Sequence, residues 1–162
     1  MTQVAVFMGS KSDEGVIRPC VEVLEKLGIS HVFTVTSAHR TPERTSRLVR
    51  ELEKDGVQVF ICAAGLAAHL AGAVAAQTIR PVLGIPVTAS SLSGLDALLA
   101  TVQMPPGFPV GTLALDKVGA RNAAWLAAQI LVLNDLDLAR RIDAERAAMR
   151  AQVETDSATA SS

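Results

Sequence analysis

The sequence predicts an α/β fold: a parallel sheet with helices packed on both faces. Three observations carry that prediction. Short apolar or alternating runs typical of strands alternate along the chain with helix-period segments. The connections between successive strand-like runs are too long for hairpins, so the strands are joined by crossovers. The chain is 162 residues long and 49% hydrophobic, which suits one domain whose sheet is covered on both sides.

The first strand is the apolar run over residues 3–8. Residues 14–27 follow as a helix, with Val16, Cys20, Val23, Leu24 and Leu27 near a 3.6 period and Gly28 as its stop. Pro19 falls inside this pattern and predicts either a kink or a late start. Residues 30–36 alternate and are rich in β-branched side chains, as a strand should be. Thr41 then reads as an N-cap with Pro42 at the first helical position, opening a helix to about Asp55. Residues 57–63 form a third strand. An Ala-rich helix is expected over 66–77, a short fourth strand over 81–85, and a helix over 93–102. Pro105, Pro106, Gly107 and Pro109 stiffen the loop after Gln103. The fifth strand is expected over 110–115 and an apolar helix over 120–133. A charged helix over 135–153 exceeds what a five-stranded unit needs, and its surplus suits packing on a neighbouring subunit. The expected organisation is a single catalytic domain over 1–154 and a disordered tail over 155–162.

Composition excludes several functions. The net charge of −1 offers no field that would gather nucleic acid or an anionic membrane. Aromatic residues make up 3% of the chain and Tyr is absent, which argues against base-stacking platforms. The two cysteines, Cys20 and Cys62, form no CxxC pair and no Cys/His cluster, so no metal site is expected. There is no uninterrupted apolar stretch of membrane-spanning length. A strand beginning at the first residues leaves no room for a signal peptide, so a reduced, cytoplasmic setting is expected.

Chemistry concentrates in the strand-to-helix turns. In a parallel sheet these lie together outside the carboxyl ends of the strands. The first turn, Gly9-Ser10-Lys11-Ser12-Asp13, offers a sharp backbone bend, two hydroxyls, a carboxylate and the free N–H groups of a helix start, which suit an anion. The competing reading is that Ser12 or Asp13 only caps the helix. The spacing is neither that of a Walker loop nor that of a dinucleotide-binding turn. The second turn, Ser37-Ala38-His39-Arg40-Thr41-Pro42, pairs an imidazole that can donate and accept protons with a guanidinium that can grip a phosphate through two parallel bonds. Taken alone, it also reads as an exposed loop His beside a surface Arg. His69 follows the third strand among small residues that let a ligand approach the backbone. Binding and packing roles are both open for it. His31 lies at the opposite edge and is assigned no chemistry.

Several motifs occur in order: Met8-Gly9-Ser10-Lys11-Ser12-Asp13, Ser37-Ala38-His39-Arg40-Thr41-Pro42, Ala67-Ala68-His69-Leu70, Gln103-Met104-Pro105, Val110-Gly111-Thr112-Leu113-Ala114 and Asn122-Ala123-Ala124. Together they resemble the AIR carboxylase family of purine (IMP) biosynthesis, over roughly residues 3–150. The Ala-Ala-His-Leu segment resembles the mutase-type branch in particular. The resemblance implies a flavodoxin-like three-layer α/β/α sandwich, a homo-octamer with sites between subunits, and no metal or organic cofactor. It implies conversion of 5-(carboxyamino)imidazole ribonucleotide to 5-amino-1-(5-phosphoribosyl)imidazole-4-carboxylate. By motif position, His39 is the proton-transfer residue. Ser10, Ser12, Asp13, Ser37, Arg40, Gly65, His69 and Leu70 are the substrate-binding set. Leu66 and Ala71 depart from the family pattern, which more often has Gly and Pro there, and both lie in the segment that carries His69. Two alternatives stay open: direct carboxylation of aminoimidazole ribonucleotide by carbon dioxide, and a noncatalytic flavodoxin-like binding module.

Overall fold

The computed structural model describes residues 1–160. Its strands are β1 (Val4–Met8), β2 (His31–Val35), β3 (Val59–Gly65), β4 (Val82–Val87) and β5 (Gly111–Thr112). They form one all-parallel sheet in the order β2-β1-β3-β4-β5. The helices are α1 (Glu14–Lys26), α2 (Pro42–Lys54), α3 (Leu70–Ala75), α4 (Leu95–Val102), α5 (Asp116–Val132) and α6 (Leu136–Ala160), with a 3₁₀ turn at Lys11–Asp13 ahead of α1. This is the flavodoxin-like three-layer sandwich with an added C-terminal helix. Its strand order reverses direction between β1 and β3.

Two cores lie on opposite faces of the sheet. Val4, Val6, Ile61 and Ile85 pack against Ile17 and Leu24 of α1 and the alanines of α5. Ala5, Phe7, Phe60 and Cys62 pack against Val49 of α2 and Leu70, Ala71 and Val74 of α3. The alternation Val4, Ala5, Val6, Phe7 thus sends successive side chains to opposite layers, and every residue of β1 is buried. Both cysteines are buried and unpaired. Burial pushes the Cys20 thiol up to about 12 and also raises that of Cys62.

Four elements differ from expectation. Helix α1 continues across Pro19, whose ring is buried. Pro19 lacks the N–H that would bond the Gly15 carbonyl, so the helix runs on without that one bond. Helix α3 is confined to Leu70–Ala75 instead of filling 66–77, because Leu66 and Ala68 take positive φ values of 56° and 21° and no helix tolerates them. Strand β5 is reduced to two residues. It pairs only with Leu83 and Gly84, and the missing N–H of Pro86 falls on that side of β4, beyond the last β5 residue. The tail expected over 155–162 is helical as far as Ala160, where Gln152 reaches Asp156 and Thr155 bonds the Ala151 carbonyl. Residues 161–162 lie outside the described residues.

The charged run of α6 serves its docking as well as its solvation. Leu138 and Ile142 are buried, Arg141 Nε donates to the Leu27 carbonyl at 2.9 Å, and Lys26 pairs with Glu145. Among the described residues no helix is long and apolar enough to cross a membrane.

Candidate active site

The strand reversal between β1 and β3 leaves a crevice at the carboxyl edge of the sheet, and a cavity of about 520 Å³ occupies it. Four successive strand ends contribute. From β1 come Ser10, Ser12 and Asp13; from β2 come Ser37, His39 and Arg40. Gly65 ends β3 and His69 and Leu70 follow it, while Ala89 follows β4. All nine residues singled out from the sequence therefore line one cavity. Ala89 was not among them. The rule that gathers strand ends at one edge would have found it, but a lone alanine carries no chemical signal.

The first turn is organised by hydroxyls. Ser10 Oγ accepts from the Ser12 N–H at 3.3 Å and caps the 3₁₀ turn. The Ser12 hydroxyl lies 2.8 Å from Ser10 Oγ and 3.2 Å from Asp13 Oδ1. Asp13 occupies the N-cap position of α1 but makes no side-chain cap hydrogen bond, so capping does not account for its carboxylate. Burial holds that carboxyl above its ordinary value, opposed by the bonds to Ser12 and Ser10 and by the charge of Arg40.

The second turn is tied to the first. Arg40 donates from Nη2 to the Gly9 carbonyl at 3.1 Å and from its backbone N–H to Ser37 Oγ at 3.1 Å. Its other guanidinium donors remain for a ligand. Thr41 sits at the N-cap of α2 with Pro42 next, as the sequence suggests, but its hydroxyl does not cap the helix. It turns back to Ser37, accepting from that N–H at 3.0 Å and donating to that carbonyl at 3.1 Å. This closes the turn that presents His39.

The third turn is strained. Gly65 lies so close to β4 that a Cβ there would stand 2.7 Å from Ala89 Cβ and 2.9 Å from the Val87 carbonyl oxygen. The chain reverses through Leu66 and Ala68, and His69 emerges at the N-cap of α3. Its ring stands 5.3 Å from that of His39, centroid to centroid, at an interplanar angle of 31°. Two imidazoles from different strand ends thus face the same space, with the hydroxyls, carboxylate and guanidinium around them. His39, Arg40 and His69 are all exposed in the single chain. His31 is remote, at the start of β2, with Nδ1 3.0 Å from the Ile29 carbonyl.

A larger cleft of about 1010 Å³ opens at the amino edge, between the start of β4 and the Pro/Gly loop. Its lining is mainly apolar, and its charged residues, Glu53 and Arg80, face each other at 3.9 Å. It lacks the convergent polar groups of the carboxyl-edge cavity. Among the described residues no group of three or more His, Cys, Asp or Glu is arranged to hold a metal ion.

The chain is similar to known proteins over most of its length. The AIR carboxylase family matches residues 3–152. N5-carboxyaminoimidazole ribonucleotide mutase of Escherichia coli strain K12 is 49% identical over 151 residues, covering 93% of this chain and 89% of that protein. The mutase of Saccharolobus solfataricus is 49% identical over 142 residues, covering 88% of this chain and 89% of its own. The crystal structure of Treponema denticola PurE superposes with a TM-score of 0.88 at 26% identity, covering 98% of both chains.

Proposed function

The chain belongs to the AIR carboxylase family, and from that premise we propose that it is the mutase of purine biosynthesis which moves the carboxylate of N5-carboxyaminoimidazole ribonucleotide from the exocyclic nitrogen to ring carbon C4. The observation that carries the reading is the pair of facing imidazoles, His39 and His69, over a cavity that also holds Ser10, Asp13 and Arg40.

The substrate is a carbamate, and protonation of its nitrogen releases carbon dioxide. The ring carbon is enamine-like and recaptures that carbon dioxide, forming the C4–carboxylate bond. Loss of the C4 proton then restores the aromatic ring. One proton is delivered and one removed, so a single shuttling imidazole balances the step, and His39 is assigned to it. Arg40, Ser10 and the Ser12 backbone hold the phosphate, Asp13 accepts from the ribose hydroxyls, and Ser37 and Leu70 complete the walls. His69 and the small residues from Ala64 to Ala68 enclose the carbon dioxide against the ring. Holding the fragments together substitutes for a bimolecular encounter. The exposure of His39, Arg40 and His69 in the isolated chain supports completion of the site by a neighbouring copy, in a homo-octamer.

Replacing His39 by Asn removes a positioned proton carrier, a contribution of about 10²–10⁴-fold. The expected result is loss of nearly all turnover with nucleotide binding retained. Near-normal turnover of His39→Asn would remove His39 from the proton role. Without ATP, the carbamate substrate should turn over faster than aminoimidazole ribonucleotide with saturating carbon dioxide. The reverse order would make the chain a direct carboxylase.

A further inference from the structure

Asp116, the first residue of α5, has a φ of 55°, a conformation that disfavours a side chain. Its carboxylate oxygen Oδ1 accepts a hydrogen bond from the backbone N–H of Thr88 at 2.8 Å, across 28 positions of sequence. Thr88 is the first residue past β4. Among the described residues nothing else at the carboxyl edge ties this strand exit to α5 through a charged acceptor, and such a bond is about twice as strong as a neutral one.

What Thr88 holds is adjacent to the chemistry. Val87 is the register partner of Gly65. The Val87 carbonyl and Ala89 flank Gly65 so tightly that no Cβ fits between them. From Gly65 the strained turn through Leu66 and Ala68 leads directly to His69. A continuous run of bonded and closely packed residues therefore leads from the Asp116 carboxylate to the Thr88 N–H, through Ala89 and Gly65, to the turn that carries His69. Asp116 itself does not line the cavity.

We propose that Asp116 is a positioning residue for the reaction: its carboxylate fixes the exit of β4, against which the Gly65–His69 turn is seated, and so sets where the His69 ring stands relative to His39. The proposal rests on the assignment of the carboxyl-edge cavity as the active site.

Three variants separate its parts. Asp116→Gly relieves the positive φ and removes the acceptor; Asp116→Ala removes the acceptor and keeps the strain; Asp116→Asn keeps an oxygen at Oδ1. In the Gly variant kcat for the carbamate substrate should fall at least tenfold, with KM changing less than threefold because the phosphate anchors lie on other turns. The Asn variant should stay within threefold of the parent. The chain has three histidines, so their ring resonances are separable by NMR and assigned with a His69→Asn control. Asp116→Gly should shift the His69 signal and leave that of His31 in place. An unchanged kcat in the folded Gly variant, an Asn variant as impaired as the Gly variant, or an unmoved His69 signal would each overturn the proposal. Should the parent protein lack mutase turnover, the proposed function fails, while the resonance shift still tests the coupling. Asp116→Ala failing to fold leaves the Gly variant, which carries no backbone strain, to decide.

Discussion

Asp13 shows how a residue that lines the cavity can carry a cost to the fold. Burial raises its pKa in the folded chain above the ordinary value of 3.8. Between that value and the raised one, the folded state binds more protons than the unfolded state, so stability falls as pH rises through this window. Below 3.8 both states are protonated and the penalty vanishes. Asp13→Asn should therefore be more heat-stable than the parent at neutral pH and equal to it below pH 3.8, in melting curves recorded across pH, while losing catalytic efficiency. An Asn variant less stable at neutral pH would mean that the bonds to Ser12 and Ser10 outweigh desolvation. Arg40 makes the complementary case. Its bond to the Gly9 carbonyl joins two turns, and under the proposed function its other donors hold the phosphate. Arg40→Ala should weaken binding of a phosphorylated nucleotide, by roughly tenfold to a hundredfold for one lost charge-assisted contact of about 1.5–3 kcal/mol. Titration calorimetry showing unchanged affinity would take Arg40 out of the phosphate site. The residues of these turns were legible in the sequence because hydroxyls, an imidazole and a guanidinium stood next to strand ends. Asp13's neglect of its capping role was not, since Asp before a helix usually caps it.

At the level of elements, helix α5 shows how closely the layers approach. A Cβ on Gly119 would fall 1.6 Å from the Ala114 carbonyl oxygen, so the first turn of α5 is seated directly on the chain leaving β5. Gly119→Ala must move the helix away from a core it fills with Ala120, Ala123, Ala124, Ala127 and Ala128. The expected loss is about 3 kcal/mol or more, at the upper end of overpacking effects, read from denaturant unfolding. A loss under 1 kcal/mol would show that the turn has slack. The sequence announced α5 through its apolar run, and β1 to β4 through theirs. It misread the stretch after β3, because Ala and Leu favour helix and nothing local reveals that Gly65 is wedged against Val87. The close approach of β4 overrides the propensity and forces Leu66 and Ala68 to positive φ. The fifth strand, expected over 110–115, pairs only over Gly111–Thr112, since periodicity cannot show where a neighbouring strand stops.

For the whole molecule, the isolated chain leaves Leu92, Leu95, Leu99 and Val102 between 46% and 60% exposed along and just before α4. The helical spacing of Leu95, Leu99 and Val102 makes an outward apolar stripe, which on a lone soluble domain is uncommon. Together with the open active site it supports a closed symmetric assembly. Sedimentation should give an octamer for the parent and smaller, less active particles for Leu99→Lys. A parent sedimenting as a monomer with full turnover would dismiss the assembly. The position of both cysteines has a practical outcome. Their sulfurs are sealed inside the two layers and their protons are held tightly, so a thiol-trapping reagent finds no target on the native particle. Each trapping event then records one excursion of the domain to an opened state. The chain thereby carries its own gauge of breathing, one sensor under each face of the sheet.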